Sequence, residues 1–458
     1  MSTIVAISTA PAIGGIGIVR ISGDKSFEIL EKIFIQKNPQ DIKDIKGYRI
    51  KYGKIINPET KREIDEVLVS YFKKPKSYTT EDMCEINSHG GTIVLREILE
   101  LCLKNGAILA EPGEFTKRAF INGRIDLTQA EAIIDIINAK TSREAHESLN
   151  QLEGFLSKKI NAIKTKILDL MVSIEANIDY PEYDVEEVSN KESIAKLESI
   201  EQELVKLSKS FENGKILKEG LKLAIIGSPN AGKSSLLNSI LKEDRAIVTD
   251  IAGTTRDIIE EQVIIEGIPF RIIDTAGIRN AKDRIEQIGI EKSKKAAKES
   301  DVIIAVFDNS VELNDEDKEI LKLLRDKKAI IILNKTDLSS KMLESNKEIQ
   351  EVNKPIVKMS VKKEEGLENL FAELVKMFNL NEINLDNELI ITNIRHQDLI
   401  NKAIESTRMA IEDLKINMPI DVVAINIKQI LEHLGEITGD NVSEDIIKSI
   451  FAKFCLGK

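Results

Sequence analysis

Apolar and polar positions along the chain fall into three regimes. From residue 1 to about 118, short apolar runs are punctuated by Gly-rich turns. "TIVAIST", "GIGIVRIS" and "EVLVSYF" have the length and composition of strands. "TIVLREILELCLKNG" repeats its apolar positions at helical spacing, and Gly106 follows as a stop. This mixture predicts an α+β domain over 1–118. From 119 the period becomes helical. The run from "DLTQAEAIID" to "SIEANIDY" ends at Pro181, and a second amphipathic helix is expected over Lys191–Phe211. At the start of the first run, Thr128 and Glu131 have the spacing of a capping box. Helical character returns after 380, in "RHQDLINKAIESTRMAIEDLK" and "PIDVVAINIKQILEHLGEIT". Between these stretches, "LKLAIIG", "FRIIDTAG", "DVIIAVFD" and "AIIILNKTD" are apolar runs of buried-strand length separated by helical stretches. That pattern predicts a mostly parallel sheet covered on both faces. The expected architecture is multidomain. An N-terminal α+β domain covers 1–118. An all-α helical domain is discontinuous, built from 119–215 and 381–458. An α/β domain at 216–380 is inserted into it.

Composition narrows the classes. The 458 residues are 42% hydrophobic and 31% charged, as in a globular protein with ordinary cores. Aromatics make up 4% and Trp is absent, which favours helices and α/β layers packed with Ile, Leu and Ala. A net charge of −11 excludes a general polyanion binder, so any contact with nucleic acid needs a local basic patch. The basic stretch Lys43–Lys76 reads as a solvated surface. Three cysteines without CxxC spacing argue against a disulfide framework or a zinc site. The start at Met1 lacks the pattern of a signal peptide, and no apolar run approaches a membrane span, so a cytoplasmic location is expected.

The inserted domain carries the clearest chemistry. "GSPNAGKSS" from Gly227 fits G-x-x-x-x-G-K-[ST] and sits between a predicted strand and a helix. Gly227 and Gly232 permit a tight loop whose N–H groups cradle phosphates. Lys233 reaches the β- and γ-phosphates, and the Ser234 hydroxyl suits Mg²⁺. "DTAG" ends the next strand: Asp274 can hold Mg²⁺ through water, and the Gly277 N–H can approach a γ-phosphate. In "NKTD", Asn334 to Asp337, the Asp337 carboxylate can accept from guanine's N–H pair, and the Lys335 stem can lie against the base. Ser360 opens "SVK", a guanine-loop pattern with Val361 in place of Ala. The four motifs in this order indicate a GTPase and disfavour an ATPase. Ile278 stands where a water-orienting Gln is common, so hydrolysis must borrow another group. Asn230 suits either a turn or a monovalent cation. Cys455, in the terminal "CLGK", is either an accident of a loose tail or a thiol delivered to a site.

The chain resembles the MnmE (TrmE) family of bacterial tRNA-modifying GTPases, within the TrmE/Era-like P-loop GTPase superfamily. The likeness runs from end to end through "GIGIVRISG", "SYTTEDMCEINSHGG", "EPGEFTKRAFINGRIDLTQAEA", "GSPNAGKSSLLN", "AIVTDIAGTTRD", "DTAGIR" and "CLGK". The resemblance implies a homodimer formed through the N-terminal domain. That domain would bind a tetrahydrofolate derivative (5-formyl- or methylene-tetrahydrofolate) through Arg20, Glu85, Arg124 and Lys458. It implies GTP hydrolysis activated by K⁺ at Asn230, Thr249, Ile251 and Thr254. Mg²⁺ would sit on Ser234 and Thr255, Ser235 and Thr249 would join the GTP-binding set, and Glu286 would orient the attacking water. It implies a partnership with the flavoprotein MnmG (GidA) in a heterotetramer. Together they would place an aminomethyl or carboxymethylaminomethyl group on C5 of the wobble uridine of certain tRNAs, with Cys455 near the one-carbon chemistry. "PAIGGIGIVR" is Gly-rich but lacks the context of a dinucleotide fold, so redox chemistry would belong to the partner. Two other readings compete. A ribosome-assembly GTPase would need an RNA module that the sequence does not display. A folate-binding regulatory GTPase would share the N-terminal site without acting on tRNA.

Overall fold

The computed structural model describes residues 2–37, 47–179, 190–242, 261–273, 287–341, 346–378 and 390–458. These form two compact units. The first holds Met1–Ile137, Leu149–Val188 and Met418–Lys458; the second holds Asn138–Ser148 and Ser189–Asn417.

In the first unit, strands β1 (Ile4–Ile7), β2 (Gly14–Ser22), β3 (Phe34–Gln36), β4 (Tyr48–Ile56), β5 (Glu63–Phe72), β6 (Met83–Gly90) and β7 (Ile108–Leu109) make one sheet in the order β3-β4-β5-β6-β2-β1-β7. Neighbours are antiparallel except β1 and β7. Alternation along the strands separates its two faces. Val5, Val19, Ile21, Val67, Val69, Cys84 and Ile86 point to one face, where α1 (Ser26–Ile33) and α2 (Thr92–Lys104) bring Ile29, Leu30, Ile33, Leu95, Ile98 and Cys102 against them. On the other face Ile4 and Ala6 meet Phe115 of α3 (Glu114–Ile121). Further along that face Ile35, Tyr48, Ile50, Tyr52 and Leu68 are exposed. Register places them together, since Tyr52 faces Leu68 and Ile35 faces Lys54.

The expected long helical run after 119 is divided. It contains α4 (Leu127–Asn138), α5 (Ser142–Leu152) and α6 (Phe155–Asp179), with Gly154 at φ +81° before the last. The capping box at its start is shifted from the expected residues. Asp126 caps α4: its Oδ1 accepts from the Gln129 N–H at 3.0 Å, and Gln129 Oε1 accepts from the Asp126 N–H at 3.0 Å. Thr128 lies inside the helix, where its hydroxyl donates to Asp126. An ionised Asp meets the orphan N–H groups as well as Thr does, and it comes first along the chain.

In the second unit, α7 (Asn190–Glu219) runs longer than expected and leads through Gly220 into β8 (Leu221–Ile226). After α8 (Lys233–Lys242) come β9 (Glu261–Ile265), β10 (Ile268–Ile273), α9 (Gln287–Glu299), β11 (Val302–Asp308), α10 (Asp315–Leu324), β12 (Ala329–Asn334), α11 (Lys347–Gln350), β13 (Ile356–Lys358) and α12 (Leu367–Met377). The sheet order is β13-β12-β11-β8-β10-β9, parallel except for β9. All four expected central strands are present. Both faces are buried, with Leu223, Ile225 and Ile304 on one and Ala224, Ile226 and Ile303 on the other. That is why these runs are apolar without alternation. The chain then forms α13 (Ile394–Lys415), α14 (Ile420–Thr438) and α15 (Glu444–Phe451). Helix α13 packs along α7 in the second unit, while α14 packs along α6 in the first. Among the described residues, no helix is long and apolar enough to cross a membrane.

Candidate functional site

Strand β8 ends at Ile226 and hands the chain to the loop Gly227–Gly232, from which α8 starts at Lys233. Two contacts explain the glycines. A Cβ on Gly227 would lie 2.3 Å from the Val306 carbonyl oxygen. At Gly232 the backbone has φ +108°, and a Cβ would lie 2.2 Å from Asn334 Nδ2. Asn230 adopts φ +63°, a conformation Asn tolerates better than most residues. Its exposed side chain and the Ser234 hydroxyl put hard oxygen donors at the loop, the ligand type that suits Mg²⁺ and K⁺. The Lys233 ammonium donates to the carbonyls of Gly227 at 2.7 Å and Ser228 at 2.8 Å. Burial lowers its pKa, while the carboxylates of Glu316 and Asp317 pull the other way. Ser235 is exposed on the first turn of α8.

The expected base-reading residues converge on this loop. Asn334, buried at the end of β12, donates from Nδ2 to the Ala231 carbonyl at 2.8 Å, and its Oδ1 accepts from the Val361 N–H at 3.2 Å. One side chain thus ties the phosphate loop to the Ser360–Lys362 turn. The Ser360 hydroxyl, fully buried, donates to Asp337 Oδ1 at 2.7 Å, and this bond holds the Asp337 carboxyl below its usual pKa. Lys335 stands at φ +64° with its ammonium paired to Asp308. Burial works to raise the Asp308 pKa, but hydrogen bonds from Lys335 and Ser310 outweigh it and leave the pKa lowered. The motifs did not mark Asp308, which lies 27 residues before its partner in the chain. Thr249, Ile251, Thr254, Thr255, Asp274, Gly277, Ile278 and Glu286 lie outside the described residues.

A second constellation forms in the first unit. Arg20 of β2 and Glu85 of β6 are register partners, joined by Arg20 Nε and Nη2 to Glu85 Oε1, each at 2.8 Å. The Arg20 guanidinium lies over the rings of Tyr78 and Phe115, and that of Arg124 also lies over Tyr78, 4.8 Å from its centroid. The C-terminal tail completes the corner. The Gly457 carbonyl accepts from Arg20 Nη1 at 3.1 Å and from the Ser8 hydroxyl at 3.0 Å. The Lys458 carbonyl accepts from the Phe115 N–H at 3.2 Å. Burial lowers the Lys458 pKa, and the Arg20 charge adds to the effect. Phe451 and Phe454, with centroids 5.4 Å apart, anchor the approach, and such a pair contributes about 0.5–1.5 kcal/mol beyond its buried area. The tail is therefore docked, and Cys455 is held on it with an exposed thiol. Arg20, Glu85, Arg124 and Lys458 are brought together. Tyr78, Phe115 and Ser8 complete the corner. Tyr78 and Phe115 fall inside the long motifs quoted above, whereas no sequence signal marks Ser8.

A doubly wound sheet, a phosphate loop at the C-terminal end of β8 and an Asn-Lys-x-Asp turn tied to it define a P-loop GTPase. A family model described as the MnmE helical domain matches residues 127–455, and one described as the GTP-binding protein TrmE N-terminus matches residues 3–124. The tRNA modification GTPase MnmE of Acetivibrio thermocellus is 49% identical over 461 residues, covering 100% of this chain and 99% of the relative. That of Clostridioides difficile strain 630 is 49% identical over 457 residues, with the same coverage. The chain belongs to the MnmE family of tRNA modification GTPases.

Proposed function

We infer that this chain is a GTP hydrolase acting in tRNA modification. The observation that carries the reading is Asn334, which locks the phosphate loop and the guanine-reading turn into one site. Asp337 accepts from the guanine edge, held by Ser360. Lys335 covers the base, and Lys233 leaves the Gly227 and Ser228 carbonyls to meet the phosphates. Ser234, with Thr255, would hold Mg²⁺. Asn230, with Thr249, Ile251 and Thr254, would hold K⁺. These cations would neutralise charge developing between the β- and γ-phosphates. Glu286 orients the attacking water, which removes the difficulty posed by Ile278.

The corner around Arg20 suits a folate. Glu85 offers a carboxylate to an amidine-like pterin edge, Tyr78 and Phe115 offer rings, and Arg124 and Lys458 offer cations to an acidic tail. When bound, the tetrahydrofolate derivative supplies the one-carbon unit. Residues 1–118 form this domain, and 216–380 form the G domain within the helical segments 119–215 and 381–458. The exposed apolar face of Ile35, Tyr48, Ile50, Tyr52 and Leu68 supports a homodimer through the N-terminal domain. MnmG supplies the flavin chemistry, the two proteins act on C5 of the wobble uridine, and the work takes place in the cytoplasm.

Two measurements test this. Nucleoside mass spectrometry of tRNA, from cells whose only copy carries Cys455→Ser, should show loss of the C5 modification while GTP turnover stays intact. Full modification would remove Cys455 from the chemistry. Hydrolysis measured in Na⁺ should run slower than in K⁺ by a factor on the order of ten to a hundred. Equal rates would remove the cation from the mechanism.

A further inference from the structure

The phosphate-loop pattern leaves Ser228 unassigned, because it occupies one of the four unspecified positions between Gly227 and Gly232. In the structure Ser228 is nevertheless a fixed point. Its side chain is buried, with the residue only 6% exposed, and its hydroxyl donates to Oδ1 of Asp317, itself 4% exposed. Asp317 is no stray surface charge. It is the third residue of α10 and closes that helix's capping box. Its N–H donates to Asn314 Oδ1 at 2.8 Å, and its Oδ2 accepts from the Asn314 N–H at 3.1 Å. Both carboxylate oxygens are therefore engaged, one on the helix and one on the loop.

The loop end of this connection bears on the phosphate-binding lysine. The Ser228 carbonyl, one peptide away from the tethered side chain, is one of the two acceptors that hold Lys233 Nζ. A rigid helix start thus sets the position of Ser228, and with it the path of the loop from whose carbonyls Lys233 swings to the phosphates. We propose that Asp317 is a positioning residue for nucleotide binding, which holds the phosphate loop in its binding-competent shape through the Ser228 hydroxyl. Asp317 does not touch the nucleotide. It acts through the loop by keeping the Ser228 peptide in one orientation. The charge-assisted bond is buried, so its removal is felt in full. The acidic first turn of α10 also helps keep the nearby lysine protonated against its own burial.

The inference rests on the GTPase reading above, and the experiment separates the two. GDP affinity is measured by fluorescence titration with a labelled nucleotide on the full chain, alongside Tm. Wild-type protein that binds no GDP would defeat both. Given wild-type binding, Ser228→Ala and Asp317→Ala should each raise the GDP Kd by about tenfold. The control is Asn314→Ala, which removes the side-chain half of the capping box but leaves Asp317 able to hold Ser228. It should lower Tm as a lost cap does, yet bind GDP within about twofold of wild type. Wild-type affinity in Ser228→Ala would overturn the proposal. So would a Kd in Asn314→Ala raised as far as in Asp317→Ala, because the effect would then be that of a loosened helix. The double variant Ser228→Ala/Asp317→Ala should be no weaker than either single one, since both remove the same bond. Additive losses would also overturn it.

Discussion

Replacing Asp337 by Asn should lower kcat/KM for GTP by a factor on the order of a hundred or more, and should raise it for xanthosine triphosphate. The carboxylate presents two acceptors to guanine's ring N–H and amino group. An amide presents one acceptor and one donor, so one guanine N–H then faces an N–H. Xanthine carries a carbonyl where guanine has its amino group, and that carbonyl accepts from the new amide. Ser360 makes the outcome sharp. Its hydroxyl donates to Asp337 Oδ1 at 2.7 Å, which fixes the rotamer of residue 337 and holds the native carboxyl below its ordinary pKa. Steady-state assays with both triphosphates, alongside a melting curve, measure the effect. Unchanged GTP kinetics would mean that Asp337 does not read the base.

The second large effect is expected at the tail. Gly457→Ala should weaken tetrahydrofolate binding by about tenfold or more, because it expels the segment that closes the Arg20 corner. Gly457 has φ +88°, which an L side chain resists, and a Cβ there would lie 2.4 Å from the Ile7 carbonyl oxygen. That oxygen belongs to β1 and cannot move without breaking the sheet. The tail must give way instead, and the Gly457 carbonyl then leaves both Arg20 and Ser8. GTP turnover should stay at the wild-type value, since the nucleotide loops belong to the other unit. Calorimetric titration with 5-formyl-tetrahydrofolate reads the loss. Full affinity in a variant whose tail has become protease-sensitive would show that the corner binds without its tail.

What could be read from the chain follows from the range over which each feature is encoded. The phosphate loop, Asn334–Asp337 and the four central strands are contiguous patterns, and the structure places them as read. Strand β6 escaped notice because Glu85, Asn87 and His89 take every second position, so its apolar content looks too low for a strand. The capping box lies two residues before the expected one because Asp126 and Thr128 carry the same local signal, and only hydrogen-bond geometry chooses between them. Ser228 with Asp317, and Arg20 with Gly457, are separated by 89 and 437 residues, and no periodicity reports contacts at that distance. Thr249, Ile251, Thr254, Thr255 and Glu286 rest on the family resemblance alone, and Asp274 and Gly277 on their motif.

The docked tail also sets a schedule for synthesis. The first unit needs Met418–Lys458, yet roughly 230 residues separate that segment from Val188, and at about 5–20 residues per second they occupy a ribosome for about 10–45 s. Only at the end of that interval is the sequence of the second unit complete, and throughout it the N-terminal segment waits with its Arg20 corner unclosed and with Ala119, Leu127 and Ala130 lacking Phe451 and Phe454 against them. The residues of the first unit that emerge after all its others are the ones that close the corner. A nascent chain stalled after Asn417 would therefore hold all the residues of the nucleotide unit but no finished first unit, and it would be a client for chaperones rather than a smaller working protein.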